Sequence, residues 1–116
     1  LLKNTNLNNE VTKIKKNKRS KRKEAFPVTS RVILDNNTSS EDTIIEVTGH
    51  DRVGLLYDIT SALTSLNLKI SSAHVTTFGV EAVDNFYVKD KNNEKLRAPE
   101  VVAKVKKLVL EAVDKT

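Results

Sequence analysis

The residues with the most chemical potential stand together in one stretch, His50-Asp51-Arg52-Val53-Gly54-Leu55-Leu56. It lies between a β-branched run, Thr43 to Thr48, and an amphipathic run, Leu55 to Leu66, so it reads as a strand, a tight polar turn and a helix start. Asp51 is a candidate N-cap, because its carboxylate can accept from the N–H groups two and three residues on. Gly54 is expected in the first helical turn, where the missing Cβ lets another backbone or a ligand approach closely. The unpaired N–H groups of such a turn favour an anion, for example an α-carboxylate. The plain alternative is a capped, packed helix start that binds nothing, and these residues alone leave it open.

Other chemistries find little support. The chain has two histidines and no cysteine. His50-Asp51 resembles the metal dyad of some phosphohydrolases, but no further His is placed to complete it, so no metal site is expected. His74 falls in the middle of a predicted strand and is expected to be a structural imidazole. Gly49, Gly54 and Gly79 are too sparse for a phosphate-cradling loop. No Ser has a recognisable base and orienting group, so no enzyme active site is expected in this chain.

The net charge of +5 is unevenly spread. Residues 1–39 carry ten Lys/Arg against three Asp/Glu, and residues 40–116 carry ten against twelve. The basic run from Lys13 to Lys23 repels itself and resists packing, so it reads as a linker. It could touch an acidic surface or nucleic acid, but no aromatic residue interleaves the charges for base stacking, so nucleic acid is not expected as a partner. Before it, Leu7, Val11 and Ile14 form a weak helical stripe. The start, Leu1-Leu2-Lys3-Asn4, is not a signal peptide and has no initiator Met, so the chain reads as a piece of something longer. No apolar run is long enough to span a bilayer, and no membrane partner is expected. Residues 1–24 are thus assigned to the tail of a preceding domain and a basic linker, and 25–116 to one compact domain.

The elements that must position the polar stretch follow from periodicity. Arg31 to Asp35 predicts a strand, Asn36 to Asp42 a polar connection, and Thr43 to Gly49 a second strand in a hairpin with the first. Leu55, Ile59, Ala62, Leu63 and Leu66 mark a helix from Leu55 to Asn67, with Asn67 as its stop. Leu68 to Phe78 is a β-rich run whose parity shifts near Ser71-Ser72, which predicts a bulge. Gly79-Val80-Glu81 turns the chain into a strand from Ala82 to Lys89 with Phe86 and Val88 inward. A polar loop from Asp90 to Arg97 leads to a last helix opened by Pro99 and Glu100, with a stripe through Val101, Val102, Val105, Leu108, Val109, Ala112 and Val113. The order strand, strand, helix, strand, strand, helix predicts an α+β, ferredoxin-like, four-stranded antiparallel sheet with two helices on one face. The usual last strand is missing, and Arg31 to Asp35 is expected to replace it beside Thr43 to Thr48. RNA-recognition modules share this shape, but Ala82 to Val88 has acidic Asp84 and no glycine where they need a glycine-and-aromatic signature.

At this point a resemblance appears. Thr43-Ile44-Ile45-Glu46-Val47 followed by Asp51-Arg52-Val53-Gly54-Leu55-Leu56-Tyr57-Asp58-Ile59 resembles an ACT domain, a small-molecule-sensing module that usually binds amino acids. The likeness continues through Leu66 to Gly79 and Val83 to Val88 and covers roughly residues 25–114. With Val32-Ile33-Leu34-Asp35-Asn36 and the basic linker, it is most similar to the C-terminal ACT domain of the bacterial bifunctional uridylyltransferase/uridylyl-removing enzymes that act on the PII nitrogen-signalling protein.

The resemblance implies a regulatory, cytoplasmic module that senses glutamine or another amino acid. Its parents are Mg-dependent nucleotidyltransferases whose catalytic domains precede this segment, so no cofactor is expected here, and PII is a partner only through the parent. It also implies a site: the α-carboxylate on the N–H groups of Arg52, Val53, Gly54 and Leu55, the α-ammonium on Asp51, and Lys69 and Ile70 closing the other side, often across a domain interface. Val53 stands where the family usually has Pro, and Lys69 where a neutral amide is common. ACT domains generally pair, so a second ACT domain, a sister domain or another copy, is expected over the uncovered sheet face, which includes some of Ile44, His74 and Thr76. The competing reading is a ligand-free interaction module of the same fold that docks through its basic linker.

Overall fold

The computed structural model describes residues 28–115. The assignment of residues 1–24 to a tail and linker lies outside them. The elements in order are β1 (Arg31–Asp35), β2 (Thr43–His50), α1 (Leu55–Ser65), β3 (Lys69–Phe78), β4 (Glu81–Lys89) and α2 (Pro99–Val113). The strands form one antiparallel sheet in the order β1-β2-β4-β3. β1 takes the edge position expected of it, with Arg31 opposite Thr48 and Asp35 opposite Ile44. The result is the ferredoxin-like α+β arrangement, with its fourth strand supplied from ahead of the first.

Alternation decides which side chains meet the helices. On β2 these are Ile45, Val47 and Gly49; on β4 they are Ala82, Asp84, Phe86 and Val88, each pair sharing a face by register. Leu55, Ile59 and Leu63 of α1 and Val105, Val109 and Val113 of α2 close over them. Each fully buried aliphatic side chain here stabilises by about 1.5–3 kcal/mol relative to exposure. β3 lies at the other edge and is exposed along nearly its whole length beyond Ile70.

Local signals set the boundaries. α1 ends at Ser65, two residues before the expected stop, and Asn67 at φ 62° sits just beyond it. The N–H groups of Asn67 and Leu68 donate to Thr64 O and Leu63 O, a Schellman closure that needs a left-handed residue at that point. The β3–β4 register shifts between Ile70 and Ser72, where the bulge was expected. Gly79 at φ 62° makes the two-residue hairpin turn into β4. Pro99 opens α2 at its first position.

One loop departs from its expected character. The Asp90–Arg97 loop is not purely a solvent-facing connection, because Leu96 is buried in the core. Its N–H donates to Thr43 Oγ1 at 2.8 Å and its C=O accepts from Asn36 Nδ2 at 2.9 Å, so the 36–42 connection and this loop latch together. His74 is exposed on the sheet face expected to be uncovered, with its ring edge-on to Tyr87 at 5.3 Å. Thr76 is exposed on the same face, so His74 and Thr76 are the uncovered members of the expected set, while Ile44 is only 7% exposed.

Candidate functional site

The elbow between β2 and α1 is held at both ends. Asp51 N–H donates to Val80 O at 2.8 Å, which ties the end of β2 to the Gly79 hairpin. The chain then turns through Arg52 and Val53 to Gly54, whose φ of 85° suits a residue without Cβ. Gly54, not Asp51, is the N-cap of α1, and no side chain caps this helix. The reason is local: the positive φ of Gly54 inserts a tight turn, so Asp51 lies too far ahead of the first helical N–H groups. Asp58 N–H donates to Gly54 O at 2.9 Å and starts the helical ladder.

This arrangement leaves donors open. Among the described residues, no acceptor is present for the N–H groups of Arg52, Val53, Gly54, Leu56 and Tyr57. Leu55 N–H, expected to be open, instead donates to Arg52 O at 3.2 Å. Val53 is 87% exposed, and Tyr57 is also well exposed. An uncapped helix N-terminus with such groups attracts negative charge.

The Arg52 side chain has a structural role. Its guanidinium donates to Ala112 O at 2.8 Å, in the last turn of α2, and lies 2.9 Å from Asp58 Oδ2. The elbow is thereby clamped to the end of α2 and to the first turn of α1. A cation near the C-terminus of α2 also complements that helix's dipole.

Lys69 and Ile70 do not join the elbow within this chain. Gly49 and Ala82 pair at the elbow end of the sheet, whereas Ile70 pairs with Val88 and Lys69 with Lys89 at the other end. Six residues of β4 separate the two places, about 20 Å at the usual strand rise. Lys69 Nζ accepts no ligand role there in isolation; it donates to Asn93 Oδ1 at 3.0 Å. Asn93 in turn lines a cleft of about 800 Å³, together with Leu66, Asn67, Leu68, Lys89 and Arg97 among others. Two of its cations are engaged within the chain. Lys89 lies 2.6 Å from Asp42 Oδ1, and that hydrogen bond holds the Asp42 carboxyl below its ordinary range and the Lys89 ammonium above its own. Lys95 donates to Asn36 O and Ser39 O.

One residue near the elbow was not singled out from the sequence. Asp84 is 2% exposed on the helix-facing side of β4, and its Oδ1 has no hydrogen-bond partner. Burial first, and then the Asp51 charge, push its carboxyl up to about 6, while the Thr76 N–H acts weakly the other way. The signal was present in the parity: once Phe86 and Val88 point inward, Asp84 must share their face. Among the described residues no group of three or more His, Cys, Asp or Glu could hold a metal ion. No helix among them is long and apolar enough to cross a membrane.

Comparison with known proteins follows the geometry. The family described as the ACR family N-terminal ACT domain matches residues 38–115. Bifunctional uridylyltransferase/uridylyl-removing enzymes are similar to this chain: that of Gluconobacter oxydans is 50% identical over 91 residues, 78% of this chain and 10% of the relative. That of Azospirillum brasilense is 48% identical over 92 residues, 79% of this chain and 10% of the relative. The chain thus spans about a tenth of the length of these relatives. Among solved structures, one described as an unknown protein from Galdieria sulphuraria has a TM-score of 0.49 at 19% identity, covering 65% of this chain and 39% of that one. With its sheet order, its two helices on one face and the family match over residues 38–115, the chain belongs to the ACT-domain family, as an ACR family N-terminal ACT domain.

Proposed function

We propose that this regulatory ACT domain senses an amino acid, with glutamine as the first candidate, at the elbow between β2 and α1. The observation that carries the reading is the set of open N–H groups around Gly54 at an uncapped helix start. A zwitterion suits this place: its carboxylate meets the amides of Arg52, Val53 and Gly54, and its ammonium meets Asp51. Leu55 bounds the site through its position in the first turn of α1 rather than through its N–H, which is already engaged. Lys69 and Ile70 reach an elbow only from a second ACT domain, intramolecular or from another copy, so this reading needs a pair. The relatives' printed name supports a setting in which such a module controls uridylyl transfer and removal. In that cytoplasmic setting the response would reach PII through catalytic domains beyond this chain.

Isothermal titration of the paired domain with glutamine tests the reading. Saturable heat that Asp51→Ala removes is the expected result. No heat in wild type, or equal heat in Asp51→Ala, refutes it and leaves the docking-module alternative, which predicts partner binding that weakens with salt and survives the Asp51 substitution.

A further inference from the structure

The elbow, the end of α2 and the start of β1 meet at one corner of the domain. A Cβ built on Gly49, near the end of β2, would run into Val113 Cγ1 and lie 3.9 Å from Ser30 Oγ. Ser30, just ahead of β1, donates through Oγ to Asp114 Oδ1, just beyond α2, at 2.6 Å. The two ends through which the fold joins any further chain therefore lie side by side, next to the candidate site.

One side chain spans from the elbow to that corner. Arg52 Nη2 donates to Ala112 O at 2.8 Å. Its Nη1 donates to Val53 O at 3.3 Å, lies 2.9 Å from Asp58 Oδ2 and stands 3.7 Å from where a Gly54 Cβ would be. One end of a rigid planar group thus sits over the turn whose amides are open, and the other holds the last turn of α2. Ala112 O also accepts from Lys115 N–H at 3.3 Å, and Asp114 N–H donates to Leu110 O at 3.0 Å. The last turn of α2 has no basic residue of its own, so the Arg52 guanidinium supplies the cation that complements its carbonyls.

A group that settles on the amides of Arg52, Val53 and Gly54 fixes the backbone from which this side chain springs, and an anionic one adds attraction for Nη1. We propose that Arg52 is a positioning residue that links occupancy of the elbow to the order of the last turn of α2, at the corner where the chain enters and leaves the domain. This rests on the amino-acid reading of the elbow and deepens it by naming where the effect of binding leaves the domain. The link is a coupling free energy: the occupied elbow favours the docked guanidinium, and the docked guanidinium favours the closed helix end.

The experiment is backbone hydrogen exchange, read by NMR on the full chain, paired as in the titration above, with and without saturating glutamine. Slowing of about fivefold or more is expected at Asp114 and Lys115. Less change is expected at Asp90 and Asn93, whose N–H groups close the loop at the far end of the sheet. In Arg52→Lys the slowing at Asp114 and Lys115 should be lost at saturating glutamine, because an ammonium does not span both ends. Ser30→Ala, which frees Asp114 from β1 and leaves the guanidinium in place, should keep it. Glutamine heat without slowing at Asp114 and Lys115 overturns the inference and leaves the amino-acid reading intact. So does equal slowing at Asp90 and Asn93, the mark of general stabilisation by a ligand. Full slowing in Arg52→Lys, or its loss in Ser30→Ala, has the same consequence. The wild-type contrast between the two ends of the sheet decides the matter even where Arg52→Lys does not fold. Absence of glutamine heat overturns both.

Discussion

Gly49→Ala tests how closely α2 is pressed on the sheet. A Cβ built on Gly49 would stand 2.4 Å from Val113 Cγ1, well inside contact distance, with Ser30 Oγ also near at 3.9 Å. Val113 is buried, and its β-branched side chain has one dominant rotamer in a helix, so turning aside is costly. Its backbone is no freer. Ala112 O beside it accepts from Arg52, and Asp114 Oδ1 accepts from Ser30 Oγ at 2.6 Å. Overpacking of this kind costs about 1–3 kcal/mol. Against it stands the ordinary gain of replacing glycine within a strand, about 0.5–1 kcal/mol. The steric effect wins, and a net loss of about 1–2 kcal/mol is expected. Thermal unfolding followed by far-ultraviolet circular dichroism measures it, with a fall in Tm of roughly 4–8 °C per kcal/mol for a domain of this size. Val113→Ala alone should also destabilise, but the double variant Gly49→Ala/Val113→Ala should be more stable than the two single losses predict. A neutral or stabilising Gly49→Ala, or strict additivity in the pair, refutes the close approach.

Two further predictions concern the elbow. Arg52→Ala removes the donor to Ala112 O and the partner of Asp58, and should cost about 1–3 kcal/mol in urea unfolding, since hydrogen bonds to charged groups are the stronger ones. Arg52→Lys should recover less than half of the loss, because one ammonium does not span both acceptors, and full recovery would argue against the clamp. Asp84 should make stability fall with rising pH. Its folded carboxyl holds a proton up to about 6, whereas the unfolded one releases it near the ordinary value of 3.8, so the folded state binds more protons between these limits. The contribution is thus present at low pH, is lost as pH rises from about 4 to about 6, and stays lost above. Its size is on the order of 2–3 kcal/mol. Asp84→Asn should therefore be the more stable chain at pH 7, with the gap closing toward pH 4; parallel stability curves for the two chains would contradict this.

Much of the fold was legible because its signals are local and repeated. The alternation in Ala82 to Lys89, the Pro99 helix start and the parity break at Ser71-Ser72 each report a backbone geometry directly. The pairing of Arg31 to Asp35 was legible for a different reason: a sheet lacking one strand has few places for a spare one. The cap of α1 was misread, since Asp51 and Gly54 both suit a helix start and only the φ of Gly54 decides between them. Leu96 was missed because one apolar residue in a polar loop carries no period. The distance of Lys69 from the elbow depends on strand direction, which residue types at the two ends do not encode. Asp84 was readable by parity, but its acidity bears in the sequence only on the missing RNA-recognition signature.

The position of β1 matters to anyone who cuts this protein. The family match begins at residue 38, whereas β1 ends at Asp35. Trimming to the match would strip Val32 and Leu34 from beside the core and bare the outer hydrogen-bonding groups of β2 from Ile44 to Thr48. A naked, β-branched margin of that length invites strands from other molecules. The shortest well-behaved fragment is therefore set by sheet closure and begins ahead of Arg31.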